Sequence, residues 1–409
     1  MAADSAVVTA QERCAPTPEN PLRVRCSSDH PATLTLTAPD APTRIATGVD
    51  PVAWGLLPDT EYTWTLGADS GTVRTGSPEG PLGAPAFTVT GTPPEAFDAV
   101  LLAVDCGSPV LVILDGHGRL LWYDDTLPFA SPRHGYHWAD GVIWALGDDV
   151  LVGQTPTGET VARYEQGVDF DGTLHHDLTV WQGRTYVLFE EPHPVADVDG
   201  VHVFADGVLQ ASMRLSDHFA ITEPDPEAPP GPGSGEWAHA NGLTVSPEGD
   251  LVLSLLNFDS VLALGGEPDA PDYLAPRWLA VGSDRGLPEA DFVPGDDTAG
   301  FMAQHNATRR GDQLWLFDNL GDPLTSRAER YRLDSDAGTL DLEVSWDLGL
   351  SCPVQGGAVP VDDGVLASCT LASRVHWFVE GEPEPRWTLQ AQCDTASRGV
   401  MTRALPVWL

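Results

Sequence analysis

The 409-residue sequence contains no lysine. Its 21 fixed side-chain cations are therefore all arginines, set against 60 aspartates and glutamates, for a formal net charge of −39. So few cations cannot build the basic face that grips a phosphate backbone, which excludes nucleic acid as a partner. The same absence excludes a lysine Schiff base. Apolar runs never approach the roughly 20 residues that cross a bilayer as a helix, so no membrane span is expected. Met1-Ala-Ala-Asp-Ser5 lacks an apolar segment, so no signal peptide is read there, and a leader removed beforehand is compatible with this. There is no C-x-x-C pair, which argues against a zinc ribbon or a thioredoxin motif. Helical periodicity is missing too, apart from a short stretch near Ser216-Asp-His-Phe219.

What is present is cysteine in even number and β pattern throughout. Cys14, Cys26, Cys106, Cys352, Cys369 and Cys393 fit an oxidised, exported protein, whether periplasmic, extracellular or lipid-anchored. Cys14 with Cys26, and Cys352 with Cys369, lie close in sequence. Pairing them leaves Cys106 with Cys393, a link from the start of the main domain to its end. The acid excess reads as solubility. It also means that a site for an anion must be made electropositive against the field of the whole chain.

Residues 1–19 are small, polar and proline-containing, and are expected to form a flexible tail. Ala32-Thr-Leu-Thr-Leu-Thr-Ala38 alternates strictly, and Leu56-Leu-Pro-Asp-Thr-Glu-Tyr-Thr-Trp-Thr-Leu66 follows the same habit. Short strands at about ten-residue spacing predict a β-sandwich over 20–93. Gly55-Leu-Leu-Pro-Asp-Thr-Glu-Tyr62 resembles the tyrosine corner of fibronectin type III and immunoglobulin-like domains. Residues 96–409 carry repeated sets of four strands, such as Val110-Leu-Val-Ile-Leu-Asp115 and Gln313-Leu-Trp-Leu-Phe-Asp318, separated by glycine turns. These predict an all-β, six-bladed propeller. Thr222–Glu236 and Gly265–Thr298 read as long loops over one face.

Three histidine stretches recur in the propeller segment. They are Leu174-His175-His176-Asp177, Trp237-Ala-His239-Ala-Asn241 and Gln304-His305-Asn306, whose histidines at 175, 239 and 305 lie 64 and 66 residues apart. Imidazoles delivered at an even period point to one site shared by successive repeats. Neutral imidazoles can attack, relay protons or bind copper, zinc or iron, so His175, His176, His239 and His305 are also candidate metal ligands. His134 and His137 are further candidates for the axis. Asp169-Phe-Asp171 and Asp197-Val-Asp199 resemble fragments of a calcium loop, but neither completes one. Asp177 reads as an acceptor that orients a histidine.

The ordered motifs resemble the bacterial arylsulfotransferases (arylsulfate sulfotransferases). Besides the histidine stretches, they include Ser246-Pro-Glu-Gly-Asp-Leu-Val-Leu-Ser254, Asn257-Phe-Asp-Ser-Val261, Leu316-Phe-Asp-Asn319 and Ser326-Arg-Ala-Glu-Arg-Tyr-Arg-Leu333. The resemblance implies a six-bladed propeller behind a small sandwich, with sulfuryl transfer from an aryl sulfate to a phenol at its axis. It makes His305 the nucleophile that carries the sulfuryl group. His239, His176, His175 and Asn241 become supporting catalytic residues. Asn306, Gln304, Trp237, Leu256 and Arg309 become substrate contacts. The implied partner is a small aromatic or sulfated substrate, and a homodimer is left open. No cofactor is needed for that reaction, whereas the ligand reading calls for copper, zinc or iron, and a third reading is a non-catalytic extracellular binding protein. One position departs from the family: Ser254-Leu255-Leu256 stands where it has Ser-x-Arg, so Leu256 replaces a cation. Arginine supplies a bidentate fork that leucine cannot, and losing one such donor costs on the order of 10²–10³ in rate. Arg309, Arg310 and Arg327 are the nearby substitutes.

Overall fold

A computed structural model describes residues 13–78, 86–128, 134–222, 235–296, 298–320, 325–362, 364–393, 400–401 and 403–409. Its architecture is all-β. The N-terminal unit holds two sheets. Cys14–Pro16, Val24–Cys26 and Val52–Ala53 form one, and Arg44–Gly48, Ala32–Thr37, Glu61–Leu66 and Asp69–Arg74 form the other. The alternation seen in sequence is the reason they pack. Leu34 and Leu36 from one strand, and Tyr62, Trp64 and Leu66 from another, point into a shared core with Val24 and Cys26. The Tyr62 hydroxyl accepts from the Leu57 amide at 2.9 Å, which fixes the turn between them. The expected tail over 1–19 is corrected at its end: Cys14–Pro16 is a strand, locked to Val24–Cys26 by the Cys14–Cys26 disulfide.

Beyond this unit, the described residues form six sheets of four or five strands in a propeller-like succession. Strands such as Pro109–Asp115 are buried along nearly their whole length. Both faces of such a sheet are covered by its neighbours, so the sequence runs apolar rather than alternating. The innermost strands are Tyr136–Ala139, Thr173–Trp181, Ala240–Val245, His305–Arg310, Gly357–Val361 and Leu405–Val407. Each packs against the next, and the last returns to the first, which closes a ring. The C-terminal strand Leu405–Val407 pairs with Ala99–Asp105, so one sheet joins the two ends of this region. The Cys106–Cys393 and Cys352–Cys369 disulfides form as expected, the first across that closure.

Two sequence boundaries move. Ala86–Gly91, placed in the 20–93 sandwich, instead pairs with Trp387–Gln392 as the outer strand of the last sheet. Gly265–Thr298 is not a simple loop, because it contains the edge strand Pro276–Val281 and a short strand, Val293–Pro294. Of Thr222–Glu236, residues 223–234 lie outside the described residues. The helical signal near Ser216 is a single 3-10 turn, Leu215–Asp217. No helix among the described residues is long and apolar enough to cross a membrane.

Candidate functional site

The three histidine stretches fall on three consecutive inner strands, and each strand is interrupted in the same way. Register shifts lie between Leu174 and Leu178, between Ala240 and Gly242, and between His305 and Thr308. Each shift is a bulge that re-aims side chains toward the ring axis. His176, His239 and Asn306 adopt left-handed backbone conformations, with φ of 53°, 50° and 53°. Such a conformation costs about 1–2 kcal/mol for a residue with a Cβ. Three instances on neighbouring strands mark a place where geometry is held against local preference. The inner strands also approach closely. A Cβ on Gly242 would lie 2.8 Å from the Asn306 amide nitrogen, and one on Gly135 would lie 2.6 Å from the His176 carbonyl.

The bulges open a cavity of about 40 Å³, room for about three water-sized groups. His176, Asp177, Asn241, His305 and Asn306 line it from the predicted stretches. His134, Tyr136, Gln355 and Arg403 complete the wall, with Gly135 and Gly356.

His305 is 6% exposed. Its Nδ1 lies 2.7 Å from the Asn319 side-chain oxygen. The Asn319 amide nitrogen donates to the carbonyls of Cys352 and Gln355, both at 2.6 Å, so its oxygen must be the atom turned to His305. An amide oxygen only accepts. Nδ1 therefore carries the proton, and in the neutral ring the lone pair sits on Nε2. Burial pushes the His305 pKa down to about 4, with the bond to Asn319 opposing and the charge of His239 adding to the fall. The ring is neutral at pH 7.

The other histidines are arranged around it. His176 Nδ1 lies 2.7 Å from His175 Nδ1, and its ring meets that of His239 edge-on at 4.7 Å. His175 is fully buried, with Nε2 3.4 Å from Asp199 Oδ1. Desolvation raises the Asp199 carboxyl to about 7. His239 Nδ1 bonds the Glu236 carboxylate, and the ring does not line the cavity. His134 reaches the wall and bonds Asp148 at 2.9 Å. His137 is held near 3 by burial and by the nearby Arg403. Among the described residues no three His, Cys, Asp or Glu side chains converge as a metal-binding group.

The cation at the site is Arg403, which the sequence reading did not single out. It grips Asp177 with both terminal nitrogens, at 2.5 and 2.7 Å. Burial lowers its pKa, and Asp177 more than offsets this. Asp177 also accepts the Leu178 and Leu243 amides, so the carboxylate orients Arg403 and an adjoining strand, not a histidine as expected.

Several predicted contacts lie elsewhere. Arg309 binds Asp250 at 2.9 Å and lies over the Trp278 ring, away from the cavity. Arg310 donates to the Pro360 carbonyl, and Arg327 lies near Glu329. Trp237 packs in a hydrophobic core against Phe219 and Phe258. Gln304 is fully buried and donates to Ser254, to the Leu255 carbonyl and to the Ser260 carbonyl, which ties two sheets together. Leu256 opens a 3-10 turn, Leu256–Phe258, and does not line the cavity. Gln304 adjoins His305, so the motif brings it along without placing it in the site.

The chain matches no protein-family profile and no curated protein. Solved structures give distant likenesses. A protein of unknown function from Bacteroides caccae is 9% identical, covering 76% of this chain and 99% of that one, with a TM-score of 0.46. The Pan2 WD40 domain of Neurospora crassa is 9% identical over 79% of this chain and 82% of that one, at 0.40. Virginiamycin B lyase from Staphylococcus aureus is 12% identical over 76% and 75%, at 0.33. All three scores fall below 0.5, so the fold rests on the strand pairings above and the chemistry on the site.

Proposed function

We propose that this protein is an exported six-bladed propeller with an N-terminal fibronectin-like sandwich, and that it transfers sulfuryl groups in the manner of an arylsulfotransferase. The observation that supports this best is the Asn319–His305 bond of 2.7 Å, which leaves Nε2 as the lone-pair nitrogen of a neutral, buried imidazole beside the cavity. In this reading Nε2 attacks the sulfur of an aryl sulfate. The N–S bond forms as the S–O bond to the ring breaks, and the phenolate leaves. A second phenol then attacks the same sulfur, the N–S bond breaks, and the proton lost by the acceptor balances the one gained by the leaving phenolate. His176 is a second imidazole in the wall for that proton traffic, and Asn241 and Asn306 bound the reacting group. Arg403, held by Asp177 in the cavity wall, stands in for the cation absent at Leu256. Three disulfides are compatible with an oxidising compartment.

The test is incubation with 4-nitrophenyl sulfate and a phenol acceptor. Phenol release together with a sulfo group on His305 supports the reading, and an unmodified His305 without release sinks it. The competing proposal, copper, zinc or iron held by His175, His176, His239 and His305, is checked by elemental analysis of protein purified without chelator. Stoichiometric metal whose removal abolishes activity would favour it.

A further inference from the structure

The cavity wall has an acceptor bias that the transfer reading does not use. Two residues carry it, each less than a tenth exposed. Asn241 donates through its amide nitrogen to the Gln304 carbonyl at 2.9 Å, which fixes its side-chain oxygen as the remaining atom. That oxygen is buried and has no partner. The side-chain oxygen of Asn306 is likewise buried and unpartnered. A buried acceptor without a donor is destabilising, so two at one cavity point to something that brings donors.

Charge decides which donors. Arg403 is closed on Asp177, His134 on Asp148, and His239 on Glu236. An ammonium entering here would find its carboxylates already paired, and a buried unpaired charge is costly. A neutral hydroxyl donates without that cost. Size sets the number: about 40 Å³ admits about three oxygens, not a whole substrate.

We propose that the cavity binds the head of a vicinal dihydroxy compound, with its two neighbouring hydroxyls donating to the side-chain oxygens of Asn241 and Asn306. This rests on the transfer reading only in making the dihydroxy compound the acceptor substrate; its binding requires no sulfate donor. Catechols and sugars share this chemistry, and the probes separate them.

Titration calorimetry without donor measures catechol, its monomethyl ether guaiacol, its dimethyl ether veratrole, methyl glucoside and benzylamine. The expected order is catechol or the glucoside tightest, with each blocked hydroxyl weakening binding by about tenfold, and benzylamine not binding. Asn306→Gly removes one acceptor at a backbone conformation that glycine adopts freely, and should cancel one of those steps. Asn241→Leu should cancel another, with circular dichroism confirming the fold. Equal binding of catechol and veratrole, preference for benzylamine, or no binding by any diol overturns the proposal. Absence of phenol release from an aryl sulfate would leave the binding order intact, and so separates the two failures.

Discussion

Two buried histidines in this molecule sit in opposite surroundings. His202 lies in a strand away from the axis, Val198–Ala205. Its Nδ1 meets Ser212 at 2.7 Å, its Nε2 meets the Asp171 carbonyl at 2.8 Å, and its ring stacks on Phe189 at 3.7 Å. His305 is about as buried, yet one nitrogen is fixed by Asn319 and the other faces a cavity. Burial lowers the pKa of both. Neither burial nor neutrality separates the two. In this pair the difference lies in the second nitrogen, bonded to the Asp171 carbonyl in His202 and set beside the cavity in His305.

The sharpest way to break this contrast is a pair of alanines. His305→Ala should lower turnover by on the order of 10⁴-fold with the fold retained, as for loss of a nucleophile. His202→Ala should leave the specific activity of the folded fraction nearly unchanged and cost about 2–4 kcal/mol of stability, because it empties a stacked core position. Urea unfolding and steady-state rates distinguish them, and equal losses of activity would dissolve the contrast.

Next in size is the dependence on pH. The folded pKa of His305, about 4, lies below the ordinary 6.5. Between those values the unfolded chain binds more protons than the native one, so stability falls as pH drops through that window. The contribution reaches about 3 kcal/mol at its lower end. His305→Gln should remove it, read as a smaller difference between unfolding at pH 7 and at pH 4.5. Glu329 acts in the opposite sense. Burial lifts it from 4.5 to about 7, so its contribution is present below pH 4.5 and is lost as pH rises toward 7.

Removing the Asn319 acceptor is a smaller intervention. Asn319→Leu should reduce turnover by about 10- to 100-fold, as for a group that orients another, and should alter the nitrogen chemical shifts that report the His305 tautomer. Smallest is Gly242→Ala, which forces a methyl against the Asn306 amide. It should cost about 1–3 kcal/mol by overpacking, while Gly311→Ala, with open space around its Cβ but a φ of 63°, should cost only the left-handed backbone strain of about 1–2 kcal/mol.

Much of this architecture was legible in the residues. Strict alternation in Ala32–Thr37 and apolar runs such as Pro109–Asp115 carry strand identity directly. The even spacing of His175, His239 and His305 anticipated three equivalent inner strands, and cysteine proximity pointed to two disulfides and left Cys106 and Cys393 as the third pair. Asn319 was visible as the last residue of Leu316-Phe-Asp-Asn, but its role needed the two carbonyls that fix its amide. Arg403 was not legible. It reaches Asp177 only because the C-terminal strand closes the ring, a contact across 226 positions with no local pattern. Trp237, Gln304, Leu256 and Arg309 erred for the converse reason. They share a motif with axial residues, but strand geometry sends neighbours to different faces.

The reactivity of His305 Nε2 is the claim on which the rest depends, and acylation by diethyl pyrocarbonate, located by mass spectrometry, measures it most directly. The account predicts that at pH 6 His305 is modified while His202 is not, that Asn319→Leu changes the His305 rate, and that catechol protects it. Modification of His202 with His305 untouched would contradict it.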